Sequence, residues 1–235
     1  MIEADLSGAD ALVVAREAGD EELENDIVSG IDLHSKNARD LFGAEFSLLD
    51  EKDPRRYALR QQTKQGVHAT NYGAIARTLA IILGWTTARA DTFQLNWFRR
   101  HPGIYEWHRR TERQLSKDRT ITNAFGYRII YFDRLDALLG QALAWVPQST
   151  VAETCFRGAL RLEAMCPYVD LRLQVHDSLI FQVPFAAFPH YIPQIKKALH
   201  NPIPYPNRPL IIPWKLKASA RSWGDMEEIK EKLAA

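Results

Sequence analysis

Apolar and polar positions alternate most clearly where Leu171, Leu173 and Val175 are separated by Arg172 and Gln174. A period of two predicts a β-strand. A second apolar run, Leu179 to Pro184, follows His176-Asp177-Ser178 and predicts a hairpin whose tip displays those three residues. Met1 to Asp5 is a short, partly apolar run ending in Leu6-Ser7-Gly8, and reads as a strand entering a turn. Residues 121–133, aromatic and β-branched around Gly126, suggest another hairpin, and residues 209–221 contain a final strand.

Most of the remainder reads as helix. Residues 9–18 and 21–28 are separated by Gly19-Asp20. Residues 32–42 end at Gly43, placed to terminate a helix. Asp53-Pro54 opens a long helical stretch to about Leu83, breaking near Gly73. Residues 86–117 continue helical apart from His101-Pro102-Gly103, and 135–165 are mostly helix despite Pro147. A short helix over 191–200 and a closing acidic–basic helix complete the chain. The expected class is α+β, a small antiparallel sheet with a mainly helical insertion between its first and later strands.

Composition adds boundaries. No apolar run approaches the ~20 residues of a membrane helix, and Met-Ile-Glu-Ala-Asp is not a signal peptide. Cys155 and Cys166 fall in a predicted helix without metal-type spacing, as expected for reduced interior residues of an intracellular protein. The net charge of +1 hides an asymmetry. Residues 1–53 carry 15 acidic and 4 basic side chains, whereas 54–134 carry 5 acidic and 15 basic. A block that basic attracts polyanions, although a solvated basic face explains the same numbers. The acidic run Glu17 to Asp26 reads as a solvated helix face.

Two groups of residues carry candidate chemistry. Asp5 ends the first strand and Asp177 sits at the hairpin tip. On neighbouring strands such carboxylates hold hard divalent cations, with substrate phosphates completing the shell. From residue type alone, separate turn residues are the simpler reading. Arg60, Lys64, His68 and Tyr72 recur every four residues along a predicted helix. Cations followed by flat rings suit a triphosphate and a stacked base, and equally a solvated basic face with an amphipathic tyrosine.

Taken in order, these pieces resemble motifs A, B and C of family A DNA polymerases. The matching residues are Asp5-Leu6-Ser7, then Arg60, Lys64 and Tyr72-Gly73, then Val175-His176-Asp177. Asp32-Leu33-His34 with Leu41-Phe42-Gly43 resembles the family's Asp-x-His…Phe-Gly helix. Ala124-Phe125-Gly126-Tyr127-Arg128 resembles its Gly-Arg loop, and Pro147-Gln148-Ser149-Thr150-Val151-Ala152 its Gln-x-Thr-x-Ala helix. The resemblance spans almost the whole chain and leans toward the bacteriophage-type branch.

The resemblance implies a polymerase right-hand fold, with palm at 1–31 and 135–235, and fingers with a connecting hairpin at 32–134. The thumb and exonuclease domain would lie ahead of residue 1, in cis or on a second chain, and the palm sheet would keep an exposed edge. It implies template-directed DNA synthesis, transferring a nucleotide from a dNTP to a primer 3′-hydroxyl in the cytoplasm (the bacterial host's, if phage-encoded). The cofactor would be two Mg²⁺ ions, with Mn²⁺ able to substitute. Asp5, Asp177 and the Leu6 carbonyl would bind metal. His34, Arg60 and Lys64 would hold the triphosphate, with Lys64 also protonating the leaving pyrophosphate. Tyr72 would pack beside the nascent base pair, while Gly73, Gln148 and His176 would contact primer–template DNA. The alternative is a catalytically incomplete fragment or subunit that binds nucleotide or DNA and needs a thumb-bearing partner. A metal-dependent nuclease would have no use for the Arg60–Tyr72 helix.

The chain departs from the family pattern at several positions. Asp10 stands where a glutamate usually blocks the ribose 2′-hydroxyl, which predicts a looser gate. His68 replaces a common Phe or Tyr, Ser178 replaces a common Glu, and Gly140 and Ala144 lack the polar groups some relatives place there.

Overall fold

The structure, a computed structural model, describes residues 1–134, 138–184, 186 and 188–229. Two compact units divide the chain.

The first unit comprises residues 1–10, 123–127 and 147–235 and is built on a five-stranded sheet. Its strands are β1 (Ile2–Leu6), β4 (Asp170–Val175), β5 (Ser178–Gln182), β6 (Trp214–Ala218) and β7 (Glu227–Glu228), in the order β4-β5-β1-β6-β7. Every pairing is antiparallel. β1 alternates as its sequence predicts, with Ile2, Ala4 and Leu6 buried and Glu3 and Asp5 half-exposed. The division between the units falls within the long helix α9 (Leu139–Met165), after Val146, where Pro147 removes one helical hydrogen bond. Within this unit α9 lies against the apolar face of the sheet. A Cβ on Gly158 would come within 3.1 Å of Trp214 and 3.5 Å of Leu179. It would also lie 3.5 Å from Leu199 of α10 (Phe188–Leu199).

β4 forms as predicted, with its alternating apolar residues Leu171 and Leu173 left 40% and 48% exposed. It is an edge strand with a register shift between those residues, and a bulge at an edge turns both faces toward solvent. The expected closing acidic–basic helix is not formed over the described residues up to 229. Trp223–Asp225 make one 3₁₀ turn and Glu227–Glu228 pair with β6, because Lys217 and Ala218 present a free strand edge there. Residues 230–235 lie outside the described residues, as do 135–137 at the start of the predicted helix 135–165.

The second unit, residues 11–122 and 128–146, is helical. Its elements are α1 (Ala9–Ala18), α2 (Glu21–Val28), α3 (Leu33–Phe42), α4 (Ala44–Ser47), α5 (Pro54–Asn71), α6 (Ala76–Leu83), α7 (Thr87–Arg100) and α8 (Pro102–Asp118). The short hairpin β2 (Thr120–Thr122) and β3 (Arg128–Ile130) follows. Local chemistry sets the boundaries. Asp20, Asp32 and Asp53 each cap a helix through a side-chain oxygen, and Pro54 occupies a first-turn position. Gly73, at φ 75°, ends α5 at the predicted break. A Cβ on Gly103 would sit 2.2 Å from the Ala18 carbonyl oxygen, so only glycine lets the start of α8 meet the end of α1.

The acidic run is not a solvated face. Glu24 is buried and accepts two hydrogen bonds from Arg16, at 2.9 and 2.6 Å. Asp20 meets the buried His101 at 2.5 Å, Asp26 pairs with Lys36, and Arg100 pairs with both Glu22 and Asp40. Arg16 and Lys36 belong to the acidic segment itself, whereas Arg100 and His101 come from the basic block that follows it. The Arg16 and Glu24 side chains are only 12% and 8% exposed, so removing one takes a close and poorly solvated counter-charge from the other. Glu24→Gln should cost about 2–4 kcal/mol of stability, read as a lower urea midpoint. A shift under about 0.5 kcal/mol would show the pair to be solvent-screened.

Candidate carboxylate and nucleotide sites

In the sheet unit, Asp5 lies at the end of β1, opposite Ser178 of β5 and Lys215 of β6. The next residue, Leu6, donates its amide to the Asp177 carbonyl at 3.0 Å, joining the motif A strand to the hairpin tip. Asp5 and Asp177 are thus neighbours, as expected. Burial pushes the Asp5 carboxyl above the ordinary aspartate value, and the Asp177 charge pushes it further. The buried Cys155 thiol of α9 is driven up to about 12, by burial and then by the Asp177 and Asp5 charges. Both cysteines are free and buried.

Among the described residues, no group of three or more His, Cys, Asp or Glu side chains converges on one point. Two carboxylates are nonetheless the usual protein share for Mg²⁺ when phosphates supply further oxygens. The repulsion that raises Asp5 is one a divalent cation would relieve. The donor set therefore fits hard divalent cations.

His176 is exposed at the hairpin tip with φ 53°, uncommon for a residue with a side chain. Its carbonyl accepts from the Gln174 side chain, and the Ser178 hydroxyl donates to Val175 O at 3.0 Å. Gln148 is exposed on α9. Its neighbour Ser149 accepts from buried Asn123 at 3.0 Å, and Asn123 also accepts from the amides of Phe125 and Tyr127. Asp10 lies in the first turn of α1, half-exposed.

In the helical unit, α5 presents Arg60, Lys64 and His68 at successive turns, and Tyr72 caps its C-terminus. The His68 and Tyr72 rings meet edge-on with centroids 4.3 Å apart. Gly73 is favoured by its backbone angle, and a Cβ placed there would press on the Leu143 side chain at 3.0 Å. Arg60 has a partner that no short-range pattern in the sequence marks. Its guanidinium donates Nε and Nη2 to the two Asp32 oxygens at 3.0 and 2.9 Å. That fork fixes the side chain and leaves the Nη1 donors available to a ligand. His34, on the first turn of α3, is half-buried and its Nδ1 has no hydrogen-bond partner. Burial, then the Arg60 and Lys64 charges, lowers its pKa.

Asp32 gives the helical site a pH signature. Partial burial alone would raise its carboxyl. The hydrogen bonds from Arg60 and from the Ser35 hydroxyl and amide outweigh this and hold it well below the usual carboxylate range. A folded-state pKa below the ordinary 3.8 means the contribution is fully present above about pH 4 and fades as the pH falls further. Asp32→Asn should therefore flatten the loss of stability as the pH falls below about 4. Unchanged acid dependence of the urea midpoint would exclude the pair as its source.

Three comparisons with known proteins agree. The model of DNA polymerase family A matches residues 1–225. The thermostable DNA polymerase I of Thermus filiformis is 27% identical over 216 residues, covering 87% of this chain and 25% of that protein. The DNA polymerase of Mycobacterium phage D29 is 25% identical over 228 residues, covering 96% of this chain and 35% of that one. A solved structure, the POL domain of Pol1 from M. smegmatis in complex with DNA primer-template and dNTP, superposes with a TM-score of 0.74 at 24% identity. It covers 92% of this chain and 39% of that one, and at that identity it shows the fold alone. The chain spans about a quarter of the length of DNA polymerase I relatives such as those of Thermus filiformis and Rhizobium leguminosarum. With the family model matched over nearly its full length, the chain belongs to DNA polymerase family A.

Proposed function

We propose that this chain carries the carboxylate and triphosphate-binding parts of a DNA-directed DNA polymerase. The observation that carries the reading is the junction of β1 with the β4–β5 hairpin, which sets Asp5 beside Asp177. Two bound Mg²⁺ ions would supply activation of the primer 3′-hydroxyl and stabilisation of the leaving oxygen. Asp5 and Asp177 hold them, with the Leu6 carbonyl as a further oxygen donor. Arg60, oriented by Asp32, and His34 bind the triphosphate, and Lys64 neutralises it and protonates the departing pyrophosphate. Tyr72 and His68 pack beside the nascent base pair. Gly73, Gln148 and His176 touch primer–template DNA, and Asp10 faces the ribose. Residues 1–31 and 135–235 act as palm and 32–134 as fingers.

A second reading is supported by the coverage of the relatives: the chain is a subunit or fragment that binds nucleotide or DNA and needs a thumb-bearing partner. Primer extension with Mg²⁺ and dNTPs tests both, using the chain alone and with a thumb-bearing polypeptide. Extension that requires Asp177 supports the polymerase, and its dependence on the added polypeptide identifies the subunit. Saturable nucleotide binding with no extension in either case leaves only a binding role.

A further inference from the structure

β6 carries two lysines, Lys215 and Lys217, spaced two apart and so on one face of the sheet. That face is the one bearing Glu3 and Asp5. Lys215 is the cross-strand partner of Asp5, and Lys217 the partner of Glu3. Directly opposed residues bring their Cβ atoms to about 4.5–5.5 Å. Lys217 reaches Glu3 with Nζ to Oε2 at 3.1 Å, and the Trp223 indole donates to the other Glu3 oxygen at 3.3 Å. Lys215 is exposed. Asp5 therefore lies between two strands of opposite character. The β5 side brings the Asp177 carboxylate, and β6 brings two ammonium groups to the same face as Asp5.

We infer that Lys215 and Lys217 are positioning residues acting as a built-in counter-charge to the Asp5–Asp177 pair, weakening divalent-cation binding until a phosphate-bearing ligand arrives. The inference rests on the two-cation reading given above. Fixed positive charge on the same face repels an incoming dication, and the penalty falls on the bare site. A triphosphate brings negative charge of its own, which attracts the dication and both lysines together. Cation occupancy is thereby tied to nucleotide arrival.

Mn²⁺ binding to the full chain without nucleotide, at pH 8 and followed by the electron paramagnetic resonance of free Mn²⁺, tests this without reference to activity. Lys215→Gln should bind Mn²⁺ about threefold more tightly, and the Lys215→Gln/Lys217→Gln double variant about tenfold. Lys215→Arg, which keeps the charge, should match the parent. Lysines that merely brace the sheet would instead give a lower melting midpoint with unchanged Mn²⁺ affinity, and that result overturns the inference. So does weaker Mn²⁺ binding by the glutamine variants while binding remains sensitive to Asp177→Asn. Mn²⁺ binding by the parent that is indifferent to Asp177→Asn sinks the carboxylate site itself, and this inference with it.

Discussion

Asp177→Asn should lower single-nucleotide incorporation by about 10³-fold or more in kcat, while leaving the fold intact. The size follows from the role assigned to the carboxylate. Losing one of only two charged donors weakens both the holding of the cations and the stabilisation of charge as the reaction proceeds. The same substitution should not destabilise the cation-free protein. Asp5 has a raised pKa, caused by burial and then by Asp177. A carboxyl raised in the folded state costs stability once ionised. The cost appears as the pH climbs past the ordinary 3.8 and is complete above the folded-state value. Removing the neighbouring charge relieves part of it, up to about 1 kcal/mol after solvent screening of half-exposed groups. Activity should collapse while the cation-free melting midpoint at pH 8 stays level or rises. Retention of activity within about tenfold of the parent, or a clearly lower midpoint, would falsify the assignment.

Lys64→Ala should lower incorporation by about 10²–10³-fold, with most of the loss in kcat. Lys64 is exposed, one turn beyond Arg60 on α5. Its ammonium is assigned two tasks, holding phosphate charge and returning a proton to pyrophosphate. Lys64→Arg restores the first but not the second, because guanidinium does not give up its proton. It should recover the KM for dNTP and leave kcat low. Arg60→Ala should act mainly on KM, since its fork only binds. A Lys64→Arg variant with full kcat would remove the proton-donor role. A Lys64→Ala variant within threefold of the parent would remove Lys64 from the site.

How much could be read in advance depends on the range of the interaction involved. The helices of residues 9–28 start and stop where the sequence says, because Gly19 and the Asp20 cap act on amides within three residues. The break at Gly73 was legible because a positive φ is cheap for glycine alone. The β4–β5 hairpin was legible in position but not in burial. Alternation marks a strand, and only the sheet order shows that β4 is an edge. The acidic run misled for the same reason. A row of Glu and Asp looks solvated until Arg16, Lys36, Arg100 and His101 are folded against it. In the candidate sites, Asp5, Asp177, Arg60 and Lys64 were visible as residue types in order. The Asp32 fork on Arg60 was not, nor were the β6 lysines opposite Asp5.

Local chemistry was enough to set most of the elements, their caps and the class, α+β with a helical insertion. These depend on periodicity, on side-chain-to-backbone bonds spanning a turn, and on the backbone limits of glycine and proline. The motif residues carried the family with them. Long-range pairing set the sheet order β4-β5-β1-β6-β7 and its registers. It therefore also decided that residues from the two ends of the chain stand opposite one another around Asp5. Register arises from hydrogen bonds between strands remote in sequence, and a one-residue slip turns every side chain to the other face. The alternation of Trp214 to Ala218 places two lysines on one face, but the pairing of β1 with β6 is what brings that face to the carboxylates.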